Sequence, residues 1–182
     1  MQPSSDGSLE LEGPQWAFAV DLYQRPGVSE ACLLLQDRLG VDVSLLLFAL
    51  YVAAKRGRML ATADLEELER AVAPWREEVV KPLRALRRRL KSGPAPAPSP
   101  AAERLRERIK AAELHAEQIE LAVLAQRLDS LPALRPGATV DISKLLSAVL
   151  ALYAPPSERA RRGRAPDIEA AIETILGSMP RT

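Results

Sequence analysis

The sequence predicts an all-α protein, an irregular multi-helix bundle of about seven or eight helices around a buried central helix, with a Pro-rich loop in the middle. Three observations carry that expectation. Aromatic residues are only 4% of the 182, while Leu, Ala, Arg and Glu dominate. Straight-chain side chains lose little freedom in a helix, and the residues that favour strands are scarce. Apolar residues recur at spacings of three and four, and the fifteen prolines fall mostly between the segments so marked.

Pro14 opens a first helix, with Trp16, Ala19, Val20 and Tyr23 at helical spacing, and Arg25-Pro26-Gly27 interrupts it. A second helix carries Val28, Ala31, Cys32, Leu35 and Leu39 on one stripe and stops at Gly40. Asp42 is a suitable N-cap for a third and Gly57 its terminator. Between Val43 and Ala54 the pattern is apolar apart from Ser44, and a helix apolar on all sides is a buried hub. Thr62 or Asp64 caps a fourth helix with Leu65, Leu68 and Val72 inward. Pro74 starts a fifth, which Pro82 should bend because the ring removes a helical hydrogen bond.

Residues 92–100, from Ser92 to Pro100, read as a semi-rigid extended spacer. A long helix follows over residues 101–129 with two apolar stripes. Leu105, Ile109, Ala112, Ala116, Ile119 and Val123 form a coiled-coil-like seam, and Leu114, Leu121, Leu124 and Leu128 lie beside it. Two stripes require two neighbours. Thr139 or Asp141 caps the next helix, which Pro155-Pro156 ends; Pro166 opens a last one, closed by Gly177. Val41-Asp42-Val43-Ser44 and Val140-Asp141-Ile142-Ser143 echo one another as the same capping chemistry used twice.

Residues 1–13 are expected to be a disordered tail, and 14–178 a single helical domain whose halves, 14–91 and 101–178, are joined by the 92–100 linker. The hub needs cover on every side, and the long helix has two stripes to bury. The longest apolar run, Leu45–Ala54, falls short of the roughly 18–20 residues a bilayer span needs. With no secretory pattern either, the expected location is cytoplasmic, with no membrane partner. One cysteine and one histidine exclude an internal disulfide and a Cys/His metal centre, and no cofactor is expected. Charge is uneven: residues 1–73 hold 6 basic and 11 acidic side chains, 74–91 hold 7 and 2, and 92–182 hold 12 and 11.

The run from Trp16 to Val28 (Trp-Ala-Phe-Ala-Val-Asp-Leu-Tyr-Gln-Arg-Pro-Gly-Val), then Leu35-Gln36-Asp37 and Val41-Asp42-Val43, resembles an uncharacterised proteobacterial family of small helical proteins. Its pattern is W-x-F-A-x-x-L-Y-x-R-P-G-V, then L-Q-D, then G-x-D-V. Ala73-Pro74-Trp75-Arg76 through Arg87 is similar to its next block, and Lys110-Ala111-Ala112-Glu113-Leu114 to a weaker later one. The resemblance implies a bacterial cytoplasmic protein with one domain spanning the linker. It implies no function and no site residues.

Two groups of side chains are candidate sites. Asp21, Tyr23, Arg25, Gln36 and Asp37 lie near helix ends; gathered in a cleft, two carboxylates beside a tyrosine could move a proton. The plainer alternative is capping and an Arg25 ion pair that ties the first two helices. Lys81, Arg84, Arg87, Arg88 and Lys91, with Arg159, Arg161, Arg162 and Arg164, could neutralise phosphates. The acidic first third and the lack of aromatics among these arginines weigh against nucleic acid. Cys32 is expected in the core and His115 in solvent.

Three readings of function follow. The first is a non-enzymatic helical interaction or adaptor protein with a protein partner, able to self-associate through the seam of the long helix. The second is an RNA- or ribosome-associated accessory protein using the basic clusters. The third is a small-molecule or lipid-binding helical bundle, with enzymatic activity open, whose pocket uses the Asp21–Asp37 group.

Overall fold

The segment Val43–Arg56 forms helix α3, and ten of its fourteen residues, Ser44 to Ala53, are buried. An unbroken apolar run can satisfy its backbone internally and bury every face, which is why it sits at the centre. Asp42 caps it by accepting from the Ser44 N–H at 3.0 Å, and Gly57 ends it in the left-handed region at φ 58°. The computed structural model describes residues 9–131, 140–153 and 165–180, and all regular structure among them is helical. Around α3 stand α1 (Pro14–Tyr23), α2 (Val28–Leu39), α4 (Thr62–Trp75), α6 (Pro100–Ser130) and α7 (Ile142–Tyr153), each packed against it. The last helix, α8 (Pro166–Gly177), lies along α2, where Arg38 pairs with Asp167 at 2.8 Å. The hydrophobic core draws on residues from both sides of the proline-rich stretch, from Phe18 to Met179.

The fourth and fifth helices are one rod. α4 continues through Pro74 into a π-helical turn, Arg76–Val80, and on into α5 (Lys81–Arg89). Pro74 therefore does not start a helix. Neither Pro74 nor Pro82 can donate a backbone hydrogen bond, and the wider turn between them shifts the ladder by one residue, with the Lys81 N–H reaching the Arg76 carbonyl. Thr62 lies within α4 and not at its cap; Asp64 accepts from the Ala61 N–H at 3.0 Å.

α6 differs from its two-stripe pattern in an instructive way. Ile109 and Ala116 of the seam are buried inside the chain's own fold, and Leu121, Leu124 and Leu128 are buried too. Leu105 and Leu114 are half exposed, while Glu113 and Glu120 occupy the buried face. Trp75 ties the rod to α6 by donating from its indole to the Ala116 carbonyl at 3.0 Å. The Ser99 hydroxyl caps α6 on Ala102, and Asp141 caps α7 on Lys144.

Of the expected N-terminal tail, residues 9–13 precede α1 as a turn whose Glu10 carbonyl accepts from the Gln15 amide. Residues 1–8, Thr139, Pro155-Pro156 and the arginines at 159, 161, 162 and 164 lie outside the described residues. Among the described residues no helix is long and apolar enough to cross a membrane.

Candidate ligand cleft and buried charge network

Where α1, α2, α3, α5 and α6 meet, their side chains leave a cleft of about 550 Å³. Its apolar wall comes from Trp16 and Val20 on α1, Val43 and Leu47 on α3, and Leu121 on α6. Leu33 and Leu114, both partly open to solvent, form its lips. The polar part of the lining is Tyr23, Gln36, Arg84, Arg87, Arg88, Lys110, Glu113 and Glu117. The rod puts the arginines there, because positions 84, 87 and 88 share one side of α5 at 100° per residue.

Electrostatics grade across that lining. Arg84 donates to Glu113 at 2.9 Å and to Glu117 at 2.5 Å, and Arg87 also donates to Glu113. Burial alone would raise the Glu113 carboxyl, but Arg87 and Arg84 hold it below the ordinary carboxylate range. Glu117 goes the other way, raised chiefly by burial against the opposing pull of Arg84. The Tyr23 phenol is also raised, by burial first. It stays protonated near neutrality as a hydrogen-bond donor. The lining holds four cations against two carboxylates, one of them with reduced acidity, so the field in the cleft is positive.

One turn further along α6 the acidic line enters the core. Arg76, 8% exposed, donates to Asp42 at 2.8 Å and to both oxygens of Glu69. Tyr153 of α7 donates to Glu69, and the Arg76 guanidinium lies 5.8 Å from the centre of its ring. Desolvation disfavours the charge on Arg76, yet Glu69 and Asp42 more than offset it and leave the guanidinium raised. The Tyr153 phenol is raised by burial and then by Asp42 and Glu69. Beside them lies Glu120, 1% exposed, with neither carboxyl oxygen hydrogen-bonded. Burial, followed by the Asp42 charge, pushes it up to about 10, so it is a neutral acid at physiological pH. Asp42 thus has two tasks that the sequence shows as one: it caps α3 and it is a counter-ion of Arg76.

The structure divides the Asp21–Asp37 group. Tyr23 and Gln36 face the cleft. Asp21 and Arg25 pair with each other at 2.7 Å on the surface, and Arg25 also donates to the Ser178 carbonyl, so it ties α1 to the end of α8 and not to α2. Asp37 is exposed and meets Arg88 at 3.4 Å. The basic group is divided too. Arg84, Arg87 and Arg88 line the cleft, Lys81 pairs with Glu77 at 2.6 Å, and Lys91 is exposed. Cys32 is fully buried, its thiol pushed up to about 12 by burial. Missed altogether were the cleft roles of Lys110, Glu113 and Glu117 and the Arg76 network. One signal could have found part of them: Glu113, Glu117 and Glu120 recur at helical spacing on one face of α6. Among the described residues, no three His, Cys, Asp or Glu side chains are placed to hold a metal ion.

A family model described as "Protein of unknown function (DUF2390)" matches residues 14–124, and the chain belongs to that family. The match takes in every side chain of the cleft walls and runs through the proline-rich stretch. No curated protein and no solved structure matches the chain.

Proposed function

We propose that this member of the DUF2390 family is a binding protein whose cleft holds an amphipathic organic anion. The carrying observation is the mixed lining, in which apolar Trp16, Val43, Leu47 and Leu121 share one cleft with Arg84, Arg87, Arg88 and Lys110. A cleft of 550 Å³ lies within the range of roughly 300–1,000 Å³ that small organic ligands occupy. The apolar body of the ligand would lie between the Leu33 and Leu114 lips. Its head group would meet Arg88 and Lys110, whose nearest carboxylates stand at 3.4 and 3.8 Å and leave them available. Tyr23 and Gln36 add hydrogen bonds.

Binding is favoured over turnover by the state of the polar groups. Tyr23 is raised by burial, which keeps the phenol protonated as a hydrogen-bond donor, and Glu117 is engaged with Arg84. Of the residues given to the third reading from the sequence, Tyr23 and Gln36 line this cleft, and the proposal follows that reading.

Calorimetric titration of the full chain with dodecanoate and with dodecyltrimethylammonium tests the proposal. Dodecanoate should saturate a single site and the cation should bind about tenfold or more weakly. Arg88→Glu, at an exposed position, should weaken dodecanoate by a similar factor without changing the circular dichroism spectrum. Equal affinity for the two amphiphiles, or no saturable site for either, would count against it.

A further inference from the structure

Glu113 and Glu117 line the same cleft one turn apart on α6, yet the arginines of α5 serve them unequally. Glu113 accepts from both Arg84 and Arg87. Among the described residues Glu117 pairs with Arg84, at 2.5 Å, and shares it with Glu113. The other titratable groups that face Glu117 are acids: Glu113 and Glu120 on its own helix, Asp42 at the start of α3 and the Tyr23 phenol on α1. Arg76, in the π-helical turn, is taken up by Asp42 and by Glu69 of α4. Arg88 and Lys110, elsewhere in the lining, stand beside Asp37 and Glu107.

The Glu117 side chain is 27% exposed and borders the cleft, so a ligand seated there would take water from it. Burial already raises this carboxyl, against the pull of Arg84. An amphipathic anion would push in the same direction twice. Its apolar body removes water, and its head group brings a like charge into a site that screens it poorly. Glu113, held by two guanidinium groups and below the ordinary carboxylate range, is the poorer place for a proton.

We propose that the cleft takes up its anion together with a proton, and that the Glu117 carboxyl holds that proton. The inference rests on the reading of the cleft as an anion site. The proton comes from solvent, bonds to a Glu117 carboxylate oxygen and returns to solvent when the ligand leaves; the ligand's own charge is unchanged. Arg84 keeps its bond to Glu113. A carboxyl raised further in the bound state favours binding fully below its free value, and that gain is lost as pH rises through its bound value. Affinity therefore falls as pH rises, by at most about tenfold per pH unit for one proton.

The test is calorimetric titration of the full chain with dodecanesulfonate, kept below its micellar concentration. The sulfonate is a permanent anion, so any proton taken up goes to the protein. Titrations in phosphate and in Tris, buffers with different heats of ionisation, give the number of protons bound with each ligand. Wild type should take up about 0.2 to 1 proton per ligand, and its affinity should fall as pH rises. Glu117→Gln keeps the shape and an oxygen that can accept from Arg84, so the circular dichroism spectrum should hold. It should bind with no proton uptake, and about threefold or more tighter than wild type near pH 8. Glu120→Gln, outside the lining, should keep the wild-type proton count. Saturable binding without proton uptake, or an uptake that survives Glu117→Gln or vanishes in Glu120→Gln, would overturn the coupling and leave the anion site standing. No saturable binding would overturn the cleft reading and the coupling with it.

Discussion

Glu120→Gln isolates the buried network from the rest of the fold. The side chain is buried beside Asp42, and its carboxyl is pushed from 4.5 up to about 10 by burial first and the Asp42 charge second. A group raised in the folded state contributes stability that is complete below its unfolded value and is lost as pH rises towards its folded one. At about 1.4 kcal/mol per pH unit, going from about pH 5 to about pH 7.5 should cost the wild-type fold about 3 kcal/mol through this one carboxyl. Glutamine keeps the shape but has no such proton to lose. Urea unfolding of both proteins across that range is the assay. The difference in stability should grow with pH in favour of the glutamine variant by about 3 kcal/mol. Groups common to both proteins, including Glu113 with its lowered carboxyl, cancel in the difference. A difference that stays constant to within about 0.5 kcal/mol would refute the neutral-acid assignment.

Arg76→Met should cost about 3–5 kcal/mol in urea unfolding, because it leaves Asp42 and Glu69 buried without their cation. A loss below about 1 kcal/mol would mean the pair is open to water in solution. Phe48→Ala, at the centre of α3, should cost about 3–5 kcal/mol, whereas Leu86→Ala on α5 should stay within about 0.5 kcal/mol. Cys32 should react with a thiol reagent only as fast as the chain opens, since it is fully buried with its thiol pushed up to about 12. Labelling at the rate of an exposed thiol under native conditions would contradict its placement.

The helices were legible because their signals are local. Asp42, Gly40, Gly57 and Pro166 mark ends through their own backbone chemistry, and the run through Val43–Ala54 betrays burial by being apolar on every face. Pro74 misled for the same reason. Its local meaning is a break, but a π-helical turn in the next five residues accommodates it, and that depends on what α6 offers the rod to pack against. The sites were less legible because charges acquire their roles from distant partners. Arg76 reads as one cation in a mixed run until Asp42, Glu69 and Tyr153, from three other turns of the chain, surround it. Glu113 and Glu120 look like solvated positions on a charged helix, yet the rod and α3 bury both. The cleft could not be read at all, because its apolar and cationic walls belong to segments up to about a hundred residues apart.

Trp16 provides the most direct view of the cleft, since it lies in the apolar wall while the other tryptophan, Trp75, is hydrogen-bonded to Ala116 outside the lining. In a Trp75→Phe protein, emission therefore comes from Trp16 alone. Titration with dodecanoate should shift that emission to the blue along a saturable curve, and Arg88→Glu should move the curve to higher concentration. Emission that stays unchanged while calorimetry reports dodecanoate binding would place the ligand elsewhere and contradict the cleft as the binding site.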